Sequence, residues 1–339
     1  MKIRPYLYTL LFLLLAVVLS IAIGSVFIPP GDLGRILIGW LNQATFSEPL
    51  KTFAFILTGI RLPRTVLILL TGAALGGSGA AYQGLFRNPL ADPYLIGVAS
   101  GAGLGAVLAM SVKFSYSFWG LMAVPAAAFI GALLTVFLVY TLARVGKTVP
   151  TTNLILAGVA FGSFATAITT YLMLRSTGEL HRAIAWLNGG SSQAGWEPVL
   201  AMLPFLAIGL GILLLSGHAL NLLQFGDDQA QQMGLPVMRV RTLILLAASL
   251  ATAAAVSFSG IIGFIGLIVP HVMRLWFGAD YRRLLPLSLI GGAGALLLAD
   301  VIARSVMAPQ ELPVGIVTAL VGAPFFLWVL RRAKNQGYW

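Results

Sequence analysis

The chain has 339 residues, of which 59% are hydrophobic and only 9% charged, against roughly 45–50% and 25% in soluble domains. That balance excludes a soluble enzyme or binding module and marks an integral membrane protein, and the absence of cysteine excludes disulfides, thiolate metal sites and a cysteine nucleophile. The net charge of +11 sits at segment ends, where Lys and Arg meet membrane lipid headgroups and water, so no nucleic-acid partner is expected.

A membrane-spanning helix needs about 20 mostly apolar residues, and charges and prolines divide the chain into about ten such segments. Runs such as Leu10 to Ile28 and Leu243 to Val256 are continuously apolar rather than alternating as barrel strands do. The expected fold class is therefore an all-α polytopic membrane protein, one transmembrane domain over residues 1–339. The first segment, 6–28, follows Lys2 and Arg4 but is too long for a secretory signal core of about 7–15 residues, and reads as a retained helix. The second, 55–84, opens on RLPR (Arg61 to Arg64) and carries GAALGGSGAAYQG (Gly72 to Gly84). FRNPLADPYLIG, Phe86 to Gly97, is polar and twice broken by proline. Hydrocarbon tolerates irregular backbone only where protein or water satisfies it, so this loop is expected at or near a membrane face.

The third segment, 95–111, contains GVASGAGLGA. Its glycines, like Gly72/Gly76 and Gly158/Gly162, recur every four residues and strip one helix face for close packing. After the fourth segment, 118–142, the run TLARVGKT (Thr141 to Thr148) approaches a phosphate-binding loop but lacks the first glycine and the preceding strand. It is read as a basic loop, so any ATP hydrolysis belongs to another chain. The fifth segment, 152–174, follows Thr151 and Thr152, hydroxyls that can cap a helix. The sixth is 198–217. The stretch 218–241 is the longest polar interior segment, and within it Asp227 is expected to cap a short helix that stops at Gly234, with Pro236 opening a second short helix in an L. The seventh and eighth segments are 242–258 and 261–276. The ninth, 284–303, holds Asp300 with Arg304 at i+4, a spacing that favours an ion pair over a proton relay. The tenth is 313–330.

An even count puts both termini on one side, and assigning that side to the cytoplasm places thirteen of the 21 Lys and Arg residues there. Arg61, Arg64 and Arg304 are outer exceptions lying close to apolar cores. Ser78-Gly79 and Ser259-Gly260 fall at opposite ends of their helices, as an inverted repeat would place them. His181, His218 and His271 share no i,i+4 spacing, so no metal, cofactor or catalytic residue is expected.

RLPR, the glycine runs, FRNPLADPYLIG, LILAGVA (Leu154 to Ala160), GIIGFIGLIVPHVMR (Gly260 to Arg274), LLLADVIAR (Leu296 to Arg304) and ELPVGIVTALVGAP (Glu311 to Pro324) occur in order across nearly the whole chain. With them the sequence resembles permease subunits of type II ATP-binding-cassette importers for ferric siderophores, haem and cobalamin. The resemblance implies a homodimer in a bacterial or archaeal inner or plasma membrane, two ATPase subunits and an extracytoplasmic substrate-binding protein. It also implies that Asp227, Asp228, Gln231, Gly234, Leu235 and Pro236 of the cytoplasmic segment 218–241 couple to the ATPase. Thr151 and Thr152 would lie at the inner gate, and Arg61, Arg64 and Arg304 would dock the binding protein. A ferric chelate ranks first as cargo and cobalamin second. The competing classes are an ATPase-independent secondary transporter or channel, which paired buried carboxylates would favour, and an intramembrane enzyme, which a metal or nucleophile motif would favour.

Overall fold

The computed structural model describes residues 3–24, 28–41, 46–48, 50–112, 118–146, 148–175, 178–190 and 195–334; Lys2, Lys113 and Lys147, counted above for orientation, lie outside them. The described chain is helical. α1 (Arg4–Ala22) leads to two short helices, α2 (Pro30–Leu41) and α3 (Leu50–Phe55). A π-helical turn over Ile56–Arg61 then joins α3 to α4 (Leu62–Leu85). Pro63 explains that turn. Proline has no N–H and its ring crowds the carbonyl four residues back, and the backbone opens just before it, with Leu62 N–H reaching Leu57 O.

The chain continues through α5 (Val98–Met110), α6 (Phe118–Ala143), α7 (Thr151–Arg175), a short α8 (Leu180–Leu187), α9 (Glu197–Leu215), α10 (Gly217–Leu223) and α11 (Asp227–Gln232). α12 (Val237–Ser259), α13 (Ile265–Phe277), α14 (Tyr281–Ser305) and α15 (Val314–Lys334) complete it. Seven helical runs are long and apolar enough to cross a membrane, with Leu50–Leu85 counted as one, and three shorter apolar helices are Val98–Met110, Ile265–Phe277 and Val314–Val329. Each expected segment coincides with one of these ten.

The interior is built on α4, α12 and α14. In their most apolar windows α12 is 78% buried and α14 67%, against 17% in α1 and 22% in α7, so α1 and α7 lie at the periphery. The glycine pattern accounts for the tight contacts. A methyl added at Gly72 would strike Gly292 O and one at Gly76 would strike Ser288 O, so α4 and α14 touch backbone to backbone. Gly101 and Gly105 meet Gly131 O and Ala127 O in the same way, joining α5 to α6. A methyl at Gly158 would strike Leu95 O, whereas one at Gly162 would meet no other element closer than Ser100 Oγ at 3.5 Å.

The 86–97 segment starts at the surface, with Arg87 and Asn88 exposed, and then turns into the protein: Ala91, Pro93 and Ile96 are buried. The Tyr94 hydroxyl donates to Ile262 O at 2.9 Å and accepts from Ile262 N–H at 3.2 Å, ahead of α13. Asn88 Oδ1 accepts from Leu90 N–H and Asp92 Oδ1 from Tyr94 N–H, so protein groups satisfy part of this irregular backbone, as its tolerance near hydrocarbon requires.

Candidate coupling, gating and docking sites

α14 has 25 residues, about 37 Å at 1.5 Å per residue, and separates two polar sites. At its start, Asp280 caps the helix by accepting from Arg282 N–H at 3.0 Å. Asn221 of α10 donates to Asp280 at 2.6 Å and accepts from Tyr281 N–H at 2.8 Å. The Asn221 hydrogen bond, then the Arg282 N–H and the Arg282 and Arg283 charges, hold the Asp280 carboxyl below the usual carboxylate range against the opposing effect of burial. Gln224 donates to Gly84 O at 2.9 Å, tying α10 to the end of α4.

α11 follows, and its geometry corrects two expectations. Gly226, at φ +101°, is the N-cap. Asp227 is instead the first helical residue, and its carboxylate turns to Arg241 at 2.9 Å and Arg87 at 3.9 Å. Pro236 does not open a second short helix but caps α12, which runs on for 23 residues. The stop at Gly234 is as the sequence implies: φ is +86°, Gly234 N–H reaches Gln231 O at 2.9 Å and Leu235 N–H reaches Ala230 O at 3.0 Å. This is the double closure that only a residue free of Cβ strain enters readily. Asp228, Gln231, Gly234 and Pro236 are exposed and Leu235 is half-buried. Phe225 (60%) and Met233 (53%) add exposed apolar surface around them.

Thr151 is the first residue of α7 and is half-buried, while Thr152 is exposed. A cavity of about 670 Å³ brings Thr151, Pro150 and Leu154 together with Asp227, Asp228, Gln231, Leu235 and Pro236. Gly234 and Thr152 are not on its wall. The Tyr140 hydroxyl and Thr242, 2.9 Å apart, also line it. Of the TLARVGKT stretch, Thr141–Ala143 close α6, and Val145 and Thr148 pair in an isolated bridge just after it.

The arginines meet at the other end of α14. Asp300, buried, takes Arg64 Nη2 at 2.9 Å and Arg304 Nε at 2.9 Å. The i,i+4 pair is present, and a second guanidinium joins it. Arg61, 5% exposed, donates to Ile21 O and Ala22 O at 2.6 and 3.0 Å, and Arg304 donates to Ser20 O at 3.2 Å. These two side chains therefore satisfy carbonyls at the end of α1, which a helix C-terminus leaves unpaired. Arg64 is the one of the three nearest the surface, 29% exposed, and it also holds Glu311 at 2.6 Å. Arg87, Arg241, Glu311 and Ser20 were not singled out as site residues from the sequence, because their partners lie from 14 to 284 residues away and no local spacing announces them.

Residues 12–332 match the FecCD transport family. A cobalamin import system permease protein of Halobacterium salinarum is 45% identical over 87% of this chain and 78% of its own length. A hemin transport system permease protein of Yersinia pestis is 42% identical over 82% of this chain and 83% of its own. Among solved structures, a transporter of metal-chelate ABC type in an inward-facing conformation superposes with a TM-score of 0.83 at 31% identity, covering 96% of this chain and 98% of that one.

Proposed function

The chain belongs to the FecCD transport family, and from that premise we propose how its sites divide the work of an importer. It is the membrane permease of an ATP-driven importer of metal chelates, a multi-pass protein of the inner or plasma membrane; hydrolysis belongs to an ATPase partner and capture to a substrate-binding partner. The cargo proposed is a bulky chelate. Relatives named for cobalamin and for hemin are similarly close, so cobalamin stands level with a ferric chelate rather than behind it.

In this reading ten helices cross the membrane in an inverted repeat, both termini and α11 face the cytoplasm, and the arginine cluster faces outward. Two copies enclose the pathway. The exposed apolar side chains of α7, among them Leu156, Val159 and Phe164, suit a second copy. The observation that carries the mechanism is the shared cavity. Because α11 and Thr151 wall the same space, an ATPase that moves the exposed Asp228, Gln231, Gly234 and Pro236 displaces Leu235 and Asp227 against the start of α7. An energy source shifts such an equilibrium only through differential affinity for the two states, and α11 is where that difference enters. Asp300, which a secondary transporter would use as a proton relay, lies between two guanidiniums.

The test is uptake into vesicles with ATPase and binding protein present. Gly234→Val, which forces a β-branched residue to φ +86°, and Asp227→Lys with Asp228→Lys should abolish uptake while the subunit stays folded. Wild-type uptake in both variants refutes the coupling assignment.

A further inference from the structure

The coupling segment is held by a charge clamp that links three separate parts of the chain. Asp227 Oδ2 meets Arg241 Nη1 of α12 at 2.9 Å, and Asp227 Oδ1, shielded from solvent, faces Arg87 Nη2 of the 86–97 segment at 3.9 Å. The backbone is arranged around this contact. Arg87 sits at φ +50°, a left-handed conformation that a residue with a Cβ enters at a cost, immediately after α4 ends. Gly226 faces it at φ +101°, where a side chain would be strained by the backbone, and a Cβ there would lie in contact with Arg87 Nη1 at 3.4 Å. Exposed ion pairs contribute little to stability, and Asp227 is 42% exposed, so the fold gains little from the clamp. What it fixes is relative position.

We infer that Arg87 and Arg241 are positioning residues for energy coupling, transmitting a displacement of α11 to α12 and, through the 86–97 segment, to α5. The inference rests on the permease reading and deepens it. From Arg87 the segment runs inward to Tyr94, hydrogen-bonded to the backbone before α13, and to Gly97, the φ +83° N-cap of α5. On this path Asp92, Tyr94, Leu95 and Gly97 share a smaller cavity of about 330 Å³ with Gly158 and Gly162 of α7, where Gly162 is loosely packed. Movement at α11 thus reaches α7 from two directions, directly through the larger cavity and indirectly through Arg87. Arg241 carries the shorter contact and has the less exposed side chain of the two arginines, 19% against 45%, so its loss matters more.

The experiment is reconstitution of the full importer in liposomes, with cobalamin and a ferric siderophore as separate cargo probes, each with its binding protein, and measurement of cargo moved per ATP hydrolysed. Arg241→Gln lowers that ratio about tenfold, the range of a typical coupling free energy, and Arg87→Gln lowers it less. In both variants ATPase co-purification is unchanged. Arg241→Lys, which restores a cation without the guanidinium fork, recovers most of the ratio and guards against a folding defect in the glutamine variant. A ratio within twofold of wild type in Arg241→Gln overturns the inference. So does loss of ATPase co-purification in step with transport, which would make the arginine part of a docking surface. Failure of the wild-type chain to bind an ATPase or to move either probe would instead refute the permease reading.

Discussion

Replacing Asp300 with alanine should be among the most damaging single changes outside the helix crossings. Its side chain is 1% exposed, accepts from Arg64 Nη2 at 2.9 Å and Arg64 Nε at 3.2 Å, and is ion-paired with Arg304, Nε to Oδ2, at 2.9 Å. Two unit charges about 4 Å apart attract by about 4 kcal/mol at an effective dielectric of 20, but desolvation offsets much of that for a buried pair. The measurable quantity is the cost of leaving its partners unpaired, about 3–5 kcal/mol when one member is removed. The Arg64 share is the smaller, since that side chain is 29% exposed and keeps Glu311. The loss therefore falls mainly on Arg304, 5% exposed. At roughly 2–4 °C per kcal/mol, Tm of the detergent-solubilised protein should fall by about 10 °C, measured at one fixed scan rate because membrane-protein unfolding is seldom reversible. The double variant Asp300→Leu, Arg304→Met removes both charges and should regain most of the loss. A fall below about 2 °C in the single variant, or a double variant no better than it, would show that this network contributes nothing to the fold and would refute the reasoning.

The same end of α14 bears on docking: Glu311→Gln should release Arg64 Nη1, with Asp300 still holding the rest of the guanidinium, and tighten the binding protein about threefold or more, while Arg64→Glu weakens it and flattens its salt dependence, both read by titration. Unchanged affinity in both would remove Arg64 from the docking surface. In this cysteine-free chain, Thr152→Cys should cross-link between two copies more readily than Thr151→Cys, because Thr152 is exposed and Thr151 half-buried; absence of any cross-link in every nucleotide state would move the gate elsewhere. Asp280→Ala should cost about 1 kcal/mol at neutral pH through the lost cap. Because the Asp280 carboxyl is held below its usual range, the wild-type advantage is fully present above about pH 4 and is lost as pH falls through the lower folded value. A gap that persists in strong acid would assign the effect to packing.

What the sequence disclosed follows from the range of each interaction. Hydrophobic runs fix where a helix lies, and each of the ten segments has its helix, but run ends blur: the first stops at Ala22, before Ile28, and the fifth α-helix of the chain starts at Val98 after the turns of 86–97. α2, α3 and α8 are too short to stand out by length. Gly234 is readable because a helix stop is local, while Asp227 looks like a cap because nothing local says that its carboxylate is taken by Arg241, 14 positions on. The i,i+4 pair of Asp300 and Arg304 was visible for the same local reason, and Arg64, 236 residues from Asp300, was not.

The backbone contact between α4 and α14 also bears on how the chain is made. Residues 72 and 76 emerge roughly 200 residues before the partners they need, which at 5–20 residues per second is about 10–40 s of synthesis. During that interval α4 stands in the membrane with a bare groove. Its hydrogen bonds are already closed within the helix, so the wait costs packing rather than unpaired polar groups. The groove is nonetheless an open invitation to any other small-residue helix, including α4 of a second nascent chain. Arrival of α14 is thus the step that ends competition for this surface, and a chain cut short before Tyr281 would leave the ribosome with this face still uncovered.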